Sequence, residues 1–267
     1  MSSSLQVMSG IATMDRIPLS SPTSTLKMLH HVTHVNLISR PRLSACRKPL
    51  KPVFIACSDK VKVEPITNAK FPTSLVAPGG SSTLSLVGTG YREKNIAFIK
   101  VKVYAIGVYV DAGVTTSLAM WKGRSEEQLC KDPSFFKAVI EATMEKAIKI
   151  VLVRDVDGAT FWAALDEAVA PRLKASNAGV AGQEALDAFG EVFKGRSLKQ
   201  GTSIYLTWVQ PFKLQVAVSG DSMVPESVEA SIVSADLVSS LFDVYLGENP
   251  VSPSTKASVA SELKVSL

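Results

Sequence analysis

The sequence predicts a single α+β domain in which an antiparallel sheet carries helices packed over one face. Three observations lead there. Strand-like and helix-like segments are clustered, without the regular βαβ alternation of a parallel sheet. No internal repeat or linker divides residues 62–267. With 267 residues, 46% of them hydrophobic and 20% charged, the chain can bury one sizeable core.

The elements follow in order. "SDKVKVEPITNAKFPTSL" (58–75) has two prolines and short alternations, which predicts an extended lead-in or edge strand, and "VAPGGSS" is a turn. "TLSLVGTGYR" and "FIKVKVYAIGVYVD" are rich in β-branched and aromatic residues and read as paired strands. "KDPSFFKAVIEATM" is helical, with Asp132 as cap and Pro133 in the first helical position. "AIKIVLVRDV" is a strand. "DGATFWAALDEAVAPRLK" is a helix whose apolar face holds Phe161, Leu165, Ala168 and Val169, and "GQEALDAFGEVFKG" repeats the pattern with Leu186, Phe189, Val192 and Phe193. "GTSIYLTWVQ" and "KLQVAVSG" pair about an interrupting "PF". "SVEASIV" is a last strand, "ADLVSSLFDVYLG" a helix stopping at Gly247, and Ser252 and Pro253 open a terminal helix.

The net charge of +5 and a pI near 9.0 would invite a nucleic-acid reading, but the charge is concentrated at one end. Residues 1–57 hold seven of the 29 basic residues and one of the 24 acids, leaving 22 against 23, a net charge of −1, for the remainder. No nucleic-acid partner is expected. That first stretch is rich in Ser and Thr and lacks a long apolar run, the composition of an organelle transit peptide and not of a secretory signal. The serine bias points to a chloroplast, with cleavage expected after Cys57 in "FIACS". All three histidines, His30, His31 and His34, and two of the three cysteines lie within it. A mature chain from residue 58 would have no imidazole for base catalysis or metal ligation and only Cys130, so neither metal nor cofactor is expected. No run approaches the roughly 18 apolar residues of a membrane span.

Two short motifs fail on their spacing. In "GTGYRE" the third glycine of a dinucleotide fingerprint is Glu93, and a strand follows where a helix is required. "RDVDG" lacks the remaining ligands of a calcium loop, so Asp155 and Asp157 are read as helix caps. Arg92 and Tyr104, taken alone, are a solvent arginine and a tyrosine at the rim of a sheet. Simple alternation even puts Tyr104 on the side of Lys100 and Lys102.

"GYREKNIAFIKVKVYAIGVYVD", above all "AIGVY" at 105–109, resembles the most distinctive stretch of the chalcone isomerase family. "VEASIVSADLVSSLFDVYLGENPVSPSTKASVASEL" is similar in order and spacing to its last strand and two helices. The resemblance implies an open-faced β-sandwich, a large antiparallel sheet covered by a layer of helices, with a ligand cleft between them. It also places the family's active-site arginine on Arg92 and a cleft threonine on Tyr104. The catalytic-region tyrosine and asparagine fall near Phe161 and Ala168, and a second threonine near Val244. With those hydrogen-bonding side chains replaced by apolar ones, a polyphenol can be neither oriented nor stabilised as an oxyanion.

The pattern resembles the plastid fatty-acid-binding branch of the family, in which an Arg and a Tyr hold the ligand carboxylate. The resemblance therefore implies a non-catalytic binder of free fatty acids in the chloroplast stroma, with Arg92 and Tyr104 as ligand-binding residues. Phe161, Leu165, Ala168 and Val244 would form the pocket wall of a fatty-acid-binding domain at 58–267. An isomerase, or a non-catalytic helper of flavonoid enzymes with the same fold, are the alternatives. The turn chemistry of Glu93–Asn95 predicts a hairpin bend there, which would hold Arg92 and Tyr104 roughly 26 Å apart along the ladder. They can share one carboxylate only if the bend is centred near Ala97 and Phe98.

Overall fold

The computed structural model describes residues 60–96, 98–221 and 223–267. The reading of residues 1–57 as a leader, and residues 58 and 59 of the expected domain, lie outside the described residues.

A ribbon of β1 (Val61–Val63) and β2 (Lys70–Pro72) leads into a meander of β3 (Ser74–Val76), β4 (Thr83–Ile96) and β5 (Ile99–Asp111). Helices α1 (Val114–Ser117), α2 (Glu126–Cys130) and α3 (Pro133–Glu141) precede β6 (Lys146–Leu152). The short pair β7 (Val156–Asp157) and β8 (Ser197–Leu198) brackets α4 (Gly158–Ala175) and α5 (Gly179–Glu191). Strands β9 (Ser203–Val209), β10 (Lys213–Ser219) and β11 (Ala230–Val233) complete the sheet before α6 (Ala235–Leu246) and α7 (Pro253–Ser266). Seven strands form one antiparallel sheet in the order β11-β10-β9-β6-β5-β4-β3. This is the α+β architecture that the sequence predicts.

The helix starts have local causes. Asp132 accepts from the Ser134 amide at 2.9 Å ahead of Pro133, and Asp157 accepts from the amides of Ala159 and Thr160. Ser234 and Ser252 cap α6 and α7. Asp155 is not a cap: it accepts from the Gln200 amide and pairs with Lys199, tying the loop before α4 to the loop before β9.

On the face toward the helices, Ile106, Val108, Ile148, Ile150, Ile204 and Leu206 pack against Leu165, Val169, Phe189, Leu241 and Leu263. Each such side chain contributes about 1.5–3 kcal/mol when fully buried. Beyond its short pairing with β3, the outer edge of β4 is closed by α7. Gly88 and Gly90 have no side chain there, and a Cβ on Gly88 would lie 2.8 Å from the Val259 amide nitrogen. The close approach lets serines of the helix take the free ladder groups. Ser258 Oγ accepts from the Thr89 amide at 3.0 Å, Ser254 Oγ from the Tyr91 amide at 3.2 Å, and Ser252 Oγ donates to the Tyr91 carbonyl at 2.6 Å.

The second face of the sheet is covered too, by Phe71, Leu75 and Ala77 of the N-terminal segment over Ala105, Tyr109, Ala147, Tyr205 and Ala217. Lys149 lies on this face, almost fully buried, opposite Gly107 and Tyr205. Burial alone lowers its ammonium from the ordinary lysine value to about 8. Nothing in the periodicity of the sequence predicts this polar centre.

Candidate functional site

The β4–β5 hairpin sets the site. Turn chemistry predicts its bend at Glu93–Asn95, but the ladder runs on through Asn95↔Lys100 to a last pair at Ile96↔Ile99, so the reversal comes after Ile96. Phe98 takes a left-handed φ of 72°, a conformation sequence rules reserve for Gly or Asn. Pairing of β-branched side chains across the long ladder outweighs the local turn preference of Glu93–Asn95. Arg92 consequently stands directly opposite Tyr104.

Alternation also fails, for a local reason. Glu93 pairs with Lys102 and Arg92 with Tyr104, so Val103 is the extra residue of a β-bulge. The bulge resets the side-chain parity. Lys100 and Lys102 stay exposed, whereas Tyr104, 2% exposed, turns to the helix-facing side with Ile106 and Val108.

The Arg92 guanidinium donates from Nη1 to Tyr104 Oη at 3.2 Å, and from both Nη atoms to the Ala164 carbonyl of α4 at 3.4 Å. Its carbon lies 5.7 Å from the centre of the Tyr104 ring. The Tyr104 hydroxyl is also 3.3 Å from that of Tyr245, a fully buried residue of α6. Tyr245 is a member of the cluster that the sequence hides, because it continues the apolar stripe of its helix. Burial raises its phenol well above the ordinary value, with Tyr104 adding to the shift and Arg92 opposing it, so Tyr245 stays a proton donor. For Arg92, burial works against the charge, but Tyr104, Tyr245 and Glu167 more than offset it. Among the described residues no carboxylate lies within ion-pair distance of this half-buried cation.

Beside the pair is a cavity of about 260 Å³. Arg92 and Tyr104 form its polar end, Val103, Val156, Phe161 and Ala164 its apolar walls, and Lys94, Arg154, Asp155, Asp157 and Thr160 its exposed mouth. The Phe161 ring lies between those of Tyr104 at 6.0 Å and Phe193 at 5.0 Å, which makes it the partition between the cavity and the aromatic cluster of Trp162, Phe189 and Phe193. Of the four expected wall residues, Phe161 lines the cavity. Leu165, Ala168 and Val244 lie deeper, in the packed core between sheet and helices. A wider groove of about 630 Å³ runs between α3, α4, α6 and α7, but its cations are engaged. Arg172 is held by Asp243 at 2.6 Å and by two carbonyls, and Lys256 by the Gly247 carbonyl. We therefore place the site at the smaller cavity. Among the described residues no group of His, Cys, Asp and Glu is arranged to hold a metal, and no helix is long and apolar enough to cross a membrane.

An open-faced antiparallel sheet under a helical layer, with an arginine–tyrosine pair at the polar end of an apolar cavity, defines the class: a chalcone isomerase-like α+β fold. The chalcone-flavanone isomerase profile matches residues 66–265, and the chain belongs to that family. Chalcone–flavanone isomerases of Hordeum vulgare and Oryza sativa subsp. japonica are 34% and 33% identical over 198 and 216 residues. Those alignments cover 72% and 78% of this chain and 85% and 91% of the relatives. The crystal structure of an Arabidopsis thaliana fatty-acid binding protein superimposes with a TM-score of 0.65 at 26% identity, covering 78% of this chain and 98% of the other.

Proposed function

We propose that the protein is a non-catalytic carrier of free fatty acids that works in the chloroplast stroma. The observation that carries the reading is a half-buried arginine with no carboxylate in ion-pair range among the described residues, paired with a tyrosine at the end of an apolar cavity. A carboxylate supplies what Arg92 lacks. Arginine cannot discharge itself by losing a proton, and its planar fork matches the two oxygens of an acid. With Tyr245 donating to Tyr104, the Tyr104 hydroxyl is free to donate to the same carboxylate. The acyl chain then lies along Val103, Val156 and Phe161, each buried methylene contributing up to about 0.8 kcal/mol.

The named function of the Arabidopsis structural neighbour supports this ligand. The basic, Ser- and Thr-rich first 57 residues support the location, and a mature N-terminus starting near residue 58 in plant tissue is the measurement that checks it. The sequence relatives named as isomerases keep the enzymatic reading in view. Against it, Phe161, Ala168 and Val244 place no donor where an oxyanion would need one.

The test is titration of a fatty-acid series against the purified full chain, with mass spectrometry of ligands that co-purify. Arg92→Ala is expected to weaken binding by about 3 kcal/mol or more, because the carboxylate is left buried and unpaired. Tyr104→Phe loses one donor and should cost about 1–2 kcal/mol. Fatty alcohols should bind poorly and respond little to the Arg92 change. Equal affinity for acids and alcohols would sink the carboxylate clamp.

A further inference from the structure

We infer that the tip of the β4–β5 hairpin seats on an anionic lipid surface and so holds the cavity mouth at headgroup level. The inference rests on the fatty-acid reading only for its purpose, since the contact itself is built by other residues. Phe98, at the reversal, is 106% exposed, and Ile99 beside it is 67% exposed. Large apolar side chains thus project from the most distant point of the hairpin, held there by a left-handed backbone at Phe98. Behind them stand Lys94, Lys100, paired with Glu93, and Lys102, whose ammonium donates to the Ile66 carbonyl at 3.0 Å, with Arg154 at the cavity mouth.

The nearby acids are occupied. Glu93 pairs with Lys100 at 3.1 Å, Asp155 with Lys199 at 3.0 Å, and Asp157 caps α4. Lys94 and Arg154 have no acid within ion-pair distance among the described residues. An apolar point with a cationic collar matches the bilayer boundary, where rings and aliphatic chains enter the acyl zone and ammonium groups stay among the phosphates. The hairpin is suited to it because ladder bonds pair the inward backbone groups up to Ile96↔Ile99, and with only the tip side chains in the acyl zone the outward groups stay among hydrated headgroups. A protein partner fits less well, because two side chains on a narrow tip fall far short of the roughly 800 Å² per side of a stable interface.

The geometry links tip and cavity. Lys94 lines the mouth and lies two residues, roughly 7 Å along the strand, from the end of the ladder at Ile96 beside the tip. With Phe98 among the acyl chains, Lys94 and the mouth lie at the depth where the carboxylate of a membrane-dissolved fatty acid resides.

The experiment uses the full chain, so that the basic leader is common to every variant, and phosphatidylcholine vesicles with phosphatidylglycerol as about a third of the lipid. Phe98→Trp should be quenched by brominated acyl chains well beyond the wild-type baseline of Trp121, Trp162 and Trp208; no added quenching overturns the inference. The double variant Phe98→Ser, Ile99→Ser should bind these vesicles about tenfold or more weakly. Its fatty-acid affinity in vesicle-free solution should be unchanged. Undiminished vesicle binding overturns the inference. Lys94→Gln with Lys102→Gln should also weaken vesicle binding several-fold, and no change removes the requirement for anionic lipid. A lipid-free dimer that the serine variant dissolves would make the tip a contact between copies and overturn the lipid assignment. If Arg92→Ala leaves fatty-acid binding intact, the ligand reading fails and the membrane result is unaffected.

Discussion

Lys149 is a lysine in a place where lysines are seldom found. Its ammonium lies in the row of Gly107 and Tyr205, 5.2 Å from the centre of the Tyr205 ring, and burial brings it down to about 8. In the unfolded chain it titrates near the ordinary value of about 10.4. Between those two values the unfolded state binds more protons than the folded one, so stability rises with pH across that window. Lys146 on the opposite face, lowered by burial to about 7, acts in the same sense. The expected outcome is a denaturation midpoint that climbs from pH 7 to 9.5, with a shallower climb in Lys149→Met. The variant should also be more stable than wild type at pH 7 by about 1 kcal/mol or more, as an apolar replacement removes a buried charge. A pH slope identical in the two proteins would contradict the assignment.

At the scale of elements, the α7–β4 contact makes the clearest claim. Gly88 and Gly90 clear space for a helix whose serines close a sheet edge. Gly88→Ala should cost about 1–3 kcal/mol in chemical denaturation, because its methyl group would press on the backbone of Val259. A glycine on the exposed loop at position 123, where an added Cβ meets nothing within 4 Å, is a poor place to look for the same kind of clash. This contact also shows what was legible in the sequence. The strands, the helices and the caps at Asp132, Asp157 and Ser252 follow from local periodicity and end chemistry. The purpose of the two glycines depends on which helix arrives at that strand, some 165 residues later, and no local rule encodes it. The bend after Ile96 was hidden for a related reason, since long-range ladder pairing overrode the turn residues at Glu93–Asn95. Arg92 and Tyr104 were found through resemblance and not through pattern, and Tyr245 was not found at all.

For the whole molecule, the question is what a fold of this family does with an interval between sheet and helices that is lined by apolar side chains. The fold puts a helical layer over a sheet, and Phe161, Ala168 and Val244 fill the interval with carbon. The arrangement retains one cation and two phenols at its polar end. Such a site can hold a charged head and an aliphatic tail, but it offers no set of donors for an oxyanion and no imidazole within the described residues. The purified protein is therefore expected to cyclise chalcones no faster than the spontaneous reaction. Turnover well above that background, followed by absorbance, would return the protein to the enzymes of its family. The cavity of about 260 Å³ lies below the roughly 300–1,000 Å³ of most ligand sites, so on the proposed reading a long acyl chain requires the Phe161 partition to give way.

The unpaired Val103 has an effect larger than its size. It works as a phase slip: on one side of it the hairpin keeps time with solvent, and on the other with the core. The distal segment can therefore gain or lose residues in symmetric pairs, one from each strand, while the beat at Arg92 and Tyr104 stays the same. Removing Val103 alone would join Lys102 to Tyr104 in a regular ladder, keep Arg92 opposite Tyr104 and take away one wall of the cavity. A hairpin shortened by the pairs Asn95↔Lys100 and Ile96↔Ile99 should retain fatty-acid affinity in solution, and deletion of Val103 should weaken it only through the lost wall, leaving the preference for acids over alcohols intact. Length polymorphism at this hairpin is thus tolerated wherever it leaves Arg92 opposite Tyr104.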